Sequence, residues 1–347
     1  MTGFAVPVHG RQGMRGGGRH RVASVLTGAA LCVTAAWSLT WNIGVAAASG
    51  SSEPISQQEA ASAVKAWLAD TNEMWTQNNF SSLNKVTTGS AKAAYQSLIS
   101  RFAAGNSSKL GKPFTLSGLS VAVPCQSGST KTFVAYANTD VFTYGEKTQN
   151  NAMIFEKIGN AWKLADSLPK MGTWPKLCTD SGKSAQQLVL PVSKFPAKLA
   201  ETLSRFSVAT TPPSSAAAPF QASWFVGATS VSSTFLTAEK SLSSQHITVT
   251  QKFEPSSYPT FAWPLADGKG AWVVAALAQQ DRLSDPAGNT TSTWPGGASI
   301  ATPHPATVHS QQNTYSTTYS AIDPTTKAGG PVTIDGFKGL TEASTAS

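Results

Sequence analysis

Apolar residues in the first part of the chain recur at the spacing of a helix. From Ala60 to Trp75 they fall three or four positions apart, which predicts a helix of about five turns with one buried face. The residues Ser56-Gln57-Gln58-Glu59 form a capping box, in which a hydroxyl and a carboxylate satisfy backbone N–H groups at a helix start. Two shorter helices are predicted over 82–86 and 90–102.

After Gly105 the spacing of apolar residues becomes two, which is typical of strands. Gly159-Asn160 has the composition of a two-residue hairpin turn. The predicted strands are 114–123, 131–142, 152–158 and 161–166. The first part of the chain is therefore predicted to form helices followed by a mainly antiparallel sheet.

The second part of the chain repeats this order of elements. Helices are predicted over 196–206 and 220–242, with a loop rich in Pro and Ser at 212–219 between them. Asp267-Gly268-Lys269-Gly270 is predicted to be a hairpin turn. The predicted strands are 246–253, 260–266, 271–283, 307–322 and 332–337.

A weak repeat links the two parts. The segment from Phe133 to Asp140 can be laid over the segment from Val274 to Asp281, where two alanines and the final Asp match. The repeated order indicates an α+β fold with two domains, each a curved, mainly antiparallel sheet with helices packed on one face. The predicted boundaries are 54–178 for the first domain, 179–187 for a linker, 188–340 for the second domain and 341–347 for a tail.

The N-terminus has the pattern of an export signal. No charged residue occurs between Val22 and Ser52, and this run follows a basic segment, residues 1–21, which we expect to stay in the cytoplasm. Residues 22–48 are then either a signal peptide cleaved after Ala48 or a single membrane anchor. Met14 is an alternative start. Both readings place the rest of the chain outside the cytoplasm, secreted or anchored, with membrane contact only through an uncleaved N-terminal segment.

Charge argues against a nucleic-acid partner. The formal net charge is +8, but four of the basic residues precede residue 49, where no acidic residue occurs. The remaining excess of four basic residues is scattered rather than gathered into a stripe with aromatic residues. We therefore predict no binding of nucleic acid.

Export also changes the interpretation of the cysteines. Cys32 lies in the signal, which leaves Cys125 and Cys178 as an even number in an oxidising compartment. We predict that these two form a disulfide. Closing a loop of this size stabilises a fold by about 4 kcal/mol in the chain-entropy model.

Three features resemble a known fold family. They are the long amphipathic first helix, the Thr88-Gly89-Ser90-Ala91 turn into the third helix and the hairpin at 155–164. Together they resemble the cystatin-like α+β cone, also called the nuclear-transport-factor-2-like fold. The tandem arrangement behind an export signal is similar to exported actinobacterial proteins of uncharacterised function. The resemblance implies a fold that hosts ketosteroid-isomerase-type enzymes, small-ligand pockets and protein-binding modules, so it selects no single function.

Motifs for common chemistry are missing from the sequence. It contains no G-x-S-x-G, H-E-x-x-H, Walker A or G-x-G-x-x-G pattern. Ser62 to Lys65 and Ser82 to Lys85 match S-x-x-K, but no K-T-G partner accompanies them, so we interpret both as chance matches. His304 and His309 have no adjacent carboxylate. We predict neither a metal site nor a cofactor.

One polar set is a candidate for ligand binding. Tyr136, Asn138 and Asp140 alternate onto one face of a predicted strand. In an isomerase, Asp140 would act as a base and Tyr136 as a hydrogen-bond donor. Residues four apart on a strand are separated by about 13 Å, so these two could reach only opposite ends of a ligand. We favour the interpretation that this face is solvated and that Ala135 and its neighbours Phe133 and Ala137 face the helices.

Tryptophans are the second set of candidates, because aromatic faces stack on ligands and partners. Trp67, Trp75 and Trp162 lie in predicted helix or strand positions and are expected in the core. Trp174 and Trp294 each lie beside a proline in a predicted loop, and we take these two as candidate binding residues.

These observations favour a non-catalytic extracytoplasmic binding or accessory module. Its expected partner is a protein of the cell envelope or a small apolar ligand. The alternative is an isomerase or cyclase of the ketosteroid-isomerase type, with an Asp and a Tyr in a cone pocket.

Overall fold

The structure is a computed structural model that describes most of the chain after residue 54. The described residues are 55–103, 113–125, 130–141, 148–170, 172–179, 187–208, 214–226, 248–284 and 310–346. All of them belong to one compact unit, Ala46–Ser347. The predicted signal or anchor at 22–48 and most of the predicted linker lie outside the described residues.

The first part of this unit is a four-stranded antiparallel sheet with helices on one face. Its strands pair in the order β1-β2-β3-β4. The helices are α1 (Gln57–Thr76), α2 (Leu83–Val86) and α3 (Gly89–Ala103), and the strands are β1 (Leu116–Ala122), β2 (Thr132–Thr139), β3 (Gln149–Ile158) and β4 (Ala161–Pro169). Each corresponds to a predicted element, and Gly159 turns the β3–β4 hairpin with a φ of +61°.

The start of α1 confirms the part of the predicted capping box that involves the Ser56 hydroxyl, whereas the Glu59 carboxylate bonds to side chains of the β3–β4 hairpin. The Glu59 backbone N–H donates to the Ser56 hydroxyl at 3.0 Å. The Glu59 carboxylate accepts hydrogen bonds from the Lys157 ammonium and the Trp162 indole, both at 3.2 Å. The helix start is therefore fastened to the β3–β4 hairpin as well as capped.

The second part is a five-stranded antiparallel sheet. Its strands pair in the order β5-β7-β8-β9, and β6 pairs with β7 beside β5. The strands are β5 (Thr248–Pro255), β6 (Phe261–Pro264), β7 (Gly270–Ser284), β8 (Ser310–Pro324) and β9 (Thr333–Ala346), and the helices are α4 (Phe195–Val208) and α5 (Ala222–Val226). The fold class is thus α+β with two antiparallel sheets, while the division into two cone domains stays a prediction.

One predicted boundary in this part differs from the structure, and another is tested only in part. The helix predicted over 220–242 is described only as α5, and residues 227–247 lie outside the described part. Strand β9 continues to Ala346, through residues predicted to be a tail. It does so because β8 supplies backbone partners along its whole length, up to Gln311 opposite Ala346, whereas the side chains of this stretch have no clear alternation.

Three buried clusters organise the unit into layers. One lies between the first sheet and α1 to α3, and includes Trp67, Phe133 and Phe155. Another lies between the second sheet and α4 and α5, and includes Phe195 and Tyr319. The third cluster, which we call the seam, lies between the two sheets and joins the faces that point away from the helices. The seam is formed by Val134, Ala152, Ile154, Ala165, Leu168, Leu177, Phe261, Trp263, Trp272 and Val274.

The chain on either side of the predicted linker is bonded to the second sheet. Before it, the Cys178 N–H donates to the Pro264 carbonyl at 2.8 Å. After it, the Val189 N–H donates to the Pro324 carbonyl at 2.9 Å. Both ends of the linker are therefore fixed by backbone hydrogen bonds.

Candidate functional site

The three polar residues predicted to share one face of β2, Tyr136, Asn138 and Asp140, have different surroundings in the structure. Ala135 and Ala137 pack towards the helices, as predicted. The opposite face was predicted to be solvated, and for Val134 and Tyr136 this is wrong: Val134 is fully buried in the seam and Tyr136 packs against it. Only Asn138, further along the strand, is exposed. The reason is that the second sheet covers this face, which no local pattern reveals.

Tyr136 and Asp140 do not form a shared pocket. Burial raises the pKa of Tyr136, and the charge of Asp335 raises it further. Asp140 instead accepts a hydrogen bond from the Thr115 backbone N–H at 2.7 Å and so holds the chain at the start of β1. Tyr136 thus packs against the seam, whereas Asp140 lies in a turn.

The candidate tryptophan Trp174 also lies at the seam. Its ring centroid is 5.3 Å from that of Tyr136 and 6.4 Å from that of Trp272. Its indole N–H donates to the Asn150 side chain at 2.6 Å. Trp174 is half-buried between the sheets, and the other candidate, Trp294, lies outside the described residues.

Three other tryptophans were expected in the core. Trp67 and Trp75 are both 2% exposed, which confirms that prediction. Trp162 is half-buried and packs on the same cluster at its edge. These rings are part of the fold rather than of a site.

The predicted disulfide is present. Cys125 and Cys178 are joined, with their Cα atoms 5.6 Å apart. The Cys125 N–H also donates to the Cys178 carbonyl at 2.7 Å. Because Cys125 follows β1 while Cys178 is bonded to the end of β6, the disulfide fastens the first sheet to the second.

A buried carboxylate lies beside the seam, at Asp166 on β4. It accepts hydrogen bonds from the Ser167 N–H at 2.7 Å and from the Thr318 hydroxyl at 3.0 and 3.1 Å. The Lys338 ammonium donates to the Ser167 hydroxyl at 2.7 Å. Burial raises the pKa of Asp166 to about 6, although hydrogen bonds and the Lys338 charge act in the opposite direction. Burial likewise lowers the pKa of Lys338 to about 8.

A second buried carboxylate lies on the helix-facing side of the second sheet, at Asp281. On this side β7 presents Val273, Ala275 and Leu277 to the core and then continues with two polar residues, Gln279 and Asp281. Strand β8 continues in the same way, from Ala321 and Tyr319 to polar positions. We call the resulting polar surface the Asp281 patch; its members are Gln251, Gln279, Asp281, Asn313, Tyr315 and Thr317.

Hydrogen bonds connect the Asp281 patch in a chain. The Thr317 hydroxyl donates to the Gln279 amide oxygen at 3.1 Å. The Gln279 amide nitrogen donates to both carboxylate oxygens of Asp281, at 3.1 and 3.2 Å. The Gln251 amide nitrogen donates to Asp281 Oδ1 at 3.0 Å. Asp281 is only 1% exposed, so its charge is compensated by neutral amides in a buried place.

Burial controls the acid–base properties of the patch. It raises the pKa of Asp281 to about 6, and the two glutamine amides offset only part of the effect. Burial also raises the pKa values of Tyr315 and Tyr319, and the Asp281 charge raises both further. The two phenols are therefore close enough to the carboxylate to interact with it electrostatically.

Buried polar atoms in and beside the patch lack partners among the described residues. They are the Gln251 amide oxygen and the Tyr319 hydroxyl. Tyr319 is fully buried where the patch meets the apolar core. Buried polar groups in proteins are nearly always hydrogen-bonded to protein, water or a ligand, and the Trp67 indole and the Thr71 hydroxyl in the first core lack described partners in the same way. The Asp281 patch differs from that core because a buried carboxylate lies among its polar groups.

Sequence reasoning missed Asp281, although the weak repeat matched it with Asp140. That alignment pairs Phe133, which faces helices, with Val274, which faces the seam. A shift by one residue brings the faces into agreement, because alternate strand residues point to opposite sides. The sequence does contain one indication of this site. Gln279 and Asp281 lie on the same face of β7 as the apolar residues that precede them at every second position.

The S-x-x-K matches have no geometry for catalysis. Ser62 and Lys65 are exposed on α1. The Ser82 hydroxyl donates to the Asn79 carbonyl at 2.8 Å within a turn, and Lys85 is exposed. Neither serine is activated by its lysine.

Three further features of the described part bear on its function. No group of three or more potential metal ligands occurs among the residues described, and His304 and His309 lie outside them. None of the helices there has the length and apolar character needed to cross a membrane. An open groove of about 640 Å³ lies between α1 and the β3–β4 hairpin, beside Ile158, which is 43% exposed.

Comparison of the chain with protein-family models, curated proteins and solved structures finds no match.

Proposed function

We propose that this protein is a non-catalytic extracytoplasmic binding or accessory module whose ligand is small and largely apolar. The Asp281 patch is its binding site. One observation carries this proposal: a fully buried Tyr319 hydroxyl without a described partner lies at the border between an apolar core and a hydrogen-bonded polar surface. Small-ligand sites combine an apolar lining with a few placed polar groups in this way.

Photolabelling tests the location of the site without altering it. A fatty alcohol that carries a diazirine is bound to the full chain, activated by light and mapped by peptide mass spectrometry. We expect saturable labelling in β7 and β8, with competition by the unmodified alcohol. Labelling confined to the groove beside Ile158 would instead support binding of an envelope protein there, and unsaturable labelling would reject a ligand site.

An isomerase-type activity is the second candidate at the same place. The observation in its favour is that Asp281 is a buried carboxylate near the phenols of Tyr315 and Tyr319, and burial raises its pKa to about 6, which suits a general base. In this reading Asp281 and a neighbouring phenol take the roles that the sequence suggested for Asp140 and Tyr136. Turnover of an enolisable ketone that is lost in Asp281→Asn and kept in Asp140→Asn would favour the enzyme.

A further inference from the structure

The Asp281 patch contains more hydrogen-bond acceptors than donors. Asp281 Oδ1 accepts from the amides of both Gln251 and Gln279, whereas Oδ2 accepts only from Gln279 and has a further lone pair. The Gln251 amide oxygen, which can only accept, lacks a partner among the described residues. Reversing this amide would place its oxygen against a carboxylate oxygen, so the assignment is fixed by the network itself.

The charge of the patch is also unbalanced. The ion pairs present in the described part of the chain do not include Asp281. Its basic neighbours in the sheet, Lys252 and Arg282, alternate onto the opposite face and are exposed. A buried carboxylate that meets only neutral dipoles is costly to ionise, and a cation placed beside it would remove much of that cost.

The aromatic side chains near the patch suit a cation attached to an apolar group. Tyr319 packs within 6.1 Å of Trp224 and 6.3 Å of Phe337, measured between ring centroids. Aromatic rings attract cations and also pack against hydrocarbon. The apolar core therefore continues directly from the acceptors of the patch.

We propose that the ligand of the Asp281 patch is a hydrophobic amine in its ammonium form. Its ammonium group donates to Asp281 Oδ2 and to the Gln251 amide oxygen. The hydrocarbon part extends towards Tyr319. This inference rests on the proposed function and specifies the chemical class of its ligand.

Three ligands of nearly equal shape separate charge from apolar contact. Cyclohexylmethylamine, cyclohexylmethanol and cyclohexanecarboxylate are titrated into the full chain by calorimetry at pH 7.5. We expect the amine to bind at least tenfold more tightly than the alcohol and the carboxylate not to bind. The preference for the amine should disappear in Asp281→Asn and should fall in the wild type as the pH drops below 6, because protonation removes the negative charge.

The control is Asp140→Asn, which changes a carboxylate of the first sheet and should leave all three affinities unchanged. Equal or tighter binding of the alcohol would overturn the amine proposal and leave the proposed function in place. Binding of none of the three would overturn both. If Asp281→Asn is folded by circular dichroism and still prefers the amine to the alcohol, the amine does not bind at the Asp281 patch.

Discussion

Asp166 and Asp281 are buried carboxylates whose pKa values are both raised to about 6, yet their surroundings differ. Asp166 accepts from a backbone amide and a hydroxyl, and the Lys338 charge is close enough to lower its pKa. Asp281 accepts only from neutral amides, beside acceptors that lack described partners. The direction of a pKa shift therefore does not identify a site; the inventory of donors and charges around the carboxylate does.

Loss of the disulfide should have the largest effect and should act on the Asp166 side of the molecule. Because it closes a separation of 53 residues, we expect Cys125→Ala/Cys178→Ala to lower the free energy of unfolding by about 4 kcal/mol. Urea denaturation measures this, with Cys32→Ala as the control. Hydrogen exchange should rise first along the seam. A loss below about 1 kcal/mol would contradict the role of the disulfide in fastening the sheets.

The pH dependence of stability should separate the two carboxylates. A folded-state pKa raised above the ordinary value means that the native state holds this proton more tightly, so the contribution of Asp281 to stability is greatest below pH 4 and is lost as the pH rises through 6. Asp281→Asn should remove up to about 3 kcal/mol of this fall, and unfolding measured from pH 4 to 7.5 tests it. The Asp166→Asn variant should gain less stability at pH 7 than Asp281→Asn, because Lys338 loses the negative charge beside it. Equal changes in the two variants would contradict the proposed difference between the surroundings of Asp166 and Asp281.

Gly89, the first residue of α3, tests the packing of this helix against β4 next to Asp166. Its φ is +54°, and an added Cβ would lie 2.9 Å from the Ala165 carbonyl oxygen. We expect Gly89→Ala to destabilise the protein by about 2 kcal/mol, through strain and this contact. Gly159→Ala is the matched control, since Gly159 has a φ of +61° with open space around it. Equal losses in thermal or urea unfolding would mean that the contact with β4 is unimportant.

A neutral hydrogen bond of the seam should have the smallest effect. The Trp263 indole N–H donates to the Thr132 hydroxyl at 3.0 Å and links the two sheets in a buried place. Trp263→Phe should lower the free energy of unfolding by about 1 kcal/mol beyond the loss of packing. Comparison with Thr132→Val in a double-mutant cycle isolates the bond. Strictly additive changes would show that it contributes nothing.

Much of the fold could be predicted from the sequence because its signals are local. The cap at Ser56 and the turn at Gly159 depend on a few neighbouring residues. The disulfide was predicted by counting the cysteines that follow the predicted export signal. The end of β9 was missed because its pairing depends on the distant strand β8.

The candidate site was hidden because it depends on which sheet faces meet. Tyr136 was placed on the correct side of β2, but only the second sheet determines that this side is covered. The weak repeat aligned Asp281 with Asp140, but nothing in the sequence indicated that Asp281 is buried. Its neighbours Gln251 and Thr317 come from strands that are far apart in sequence.

The most direct test of the distinction between the two carboxylates is to measure both pKa values with and without an amine. The carboxyl ¹³C resonances of Asp166 and Asp281, assigned with the two Asn variants, are titrated in the presence and absence of saturating cyclohexylmethylamine. We expect the pKa of Asp281 to fall from about 6 by about one unit or more, because an ammonium that binds the ionised form tenfold more tightly shifts it by that amount. The pKa of Asp166 should not move. Equal shifts at both carboxylates, or no shift at Asp281, would contradict the assignment of the Asp281 patch as the binding site.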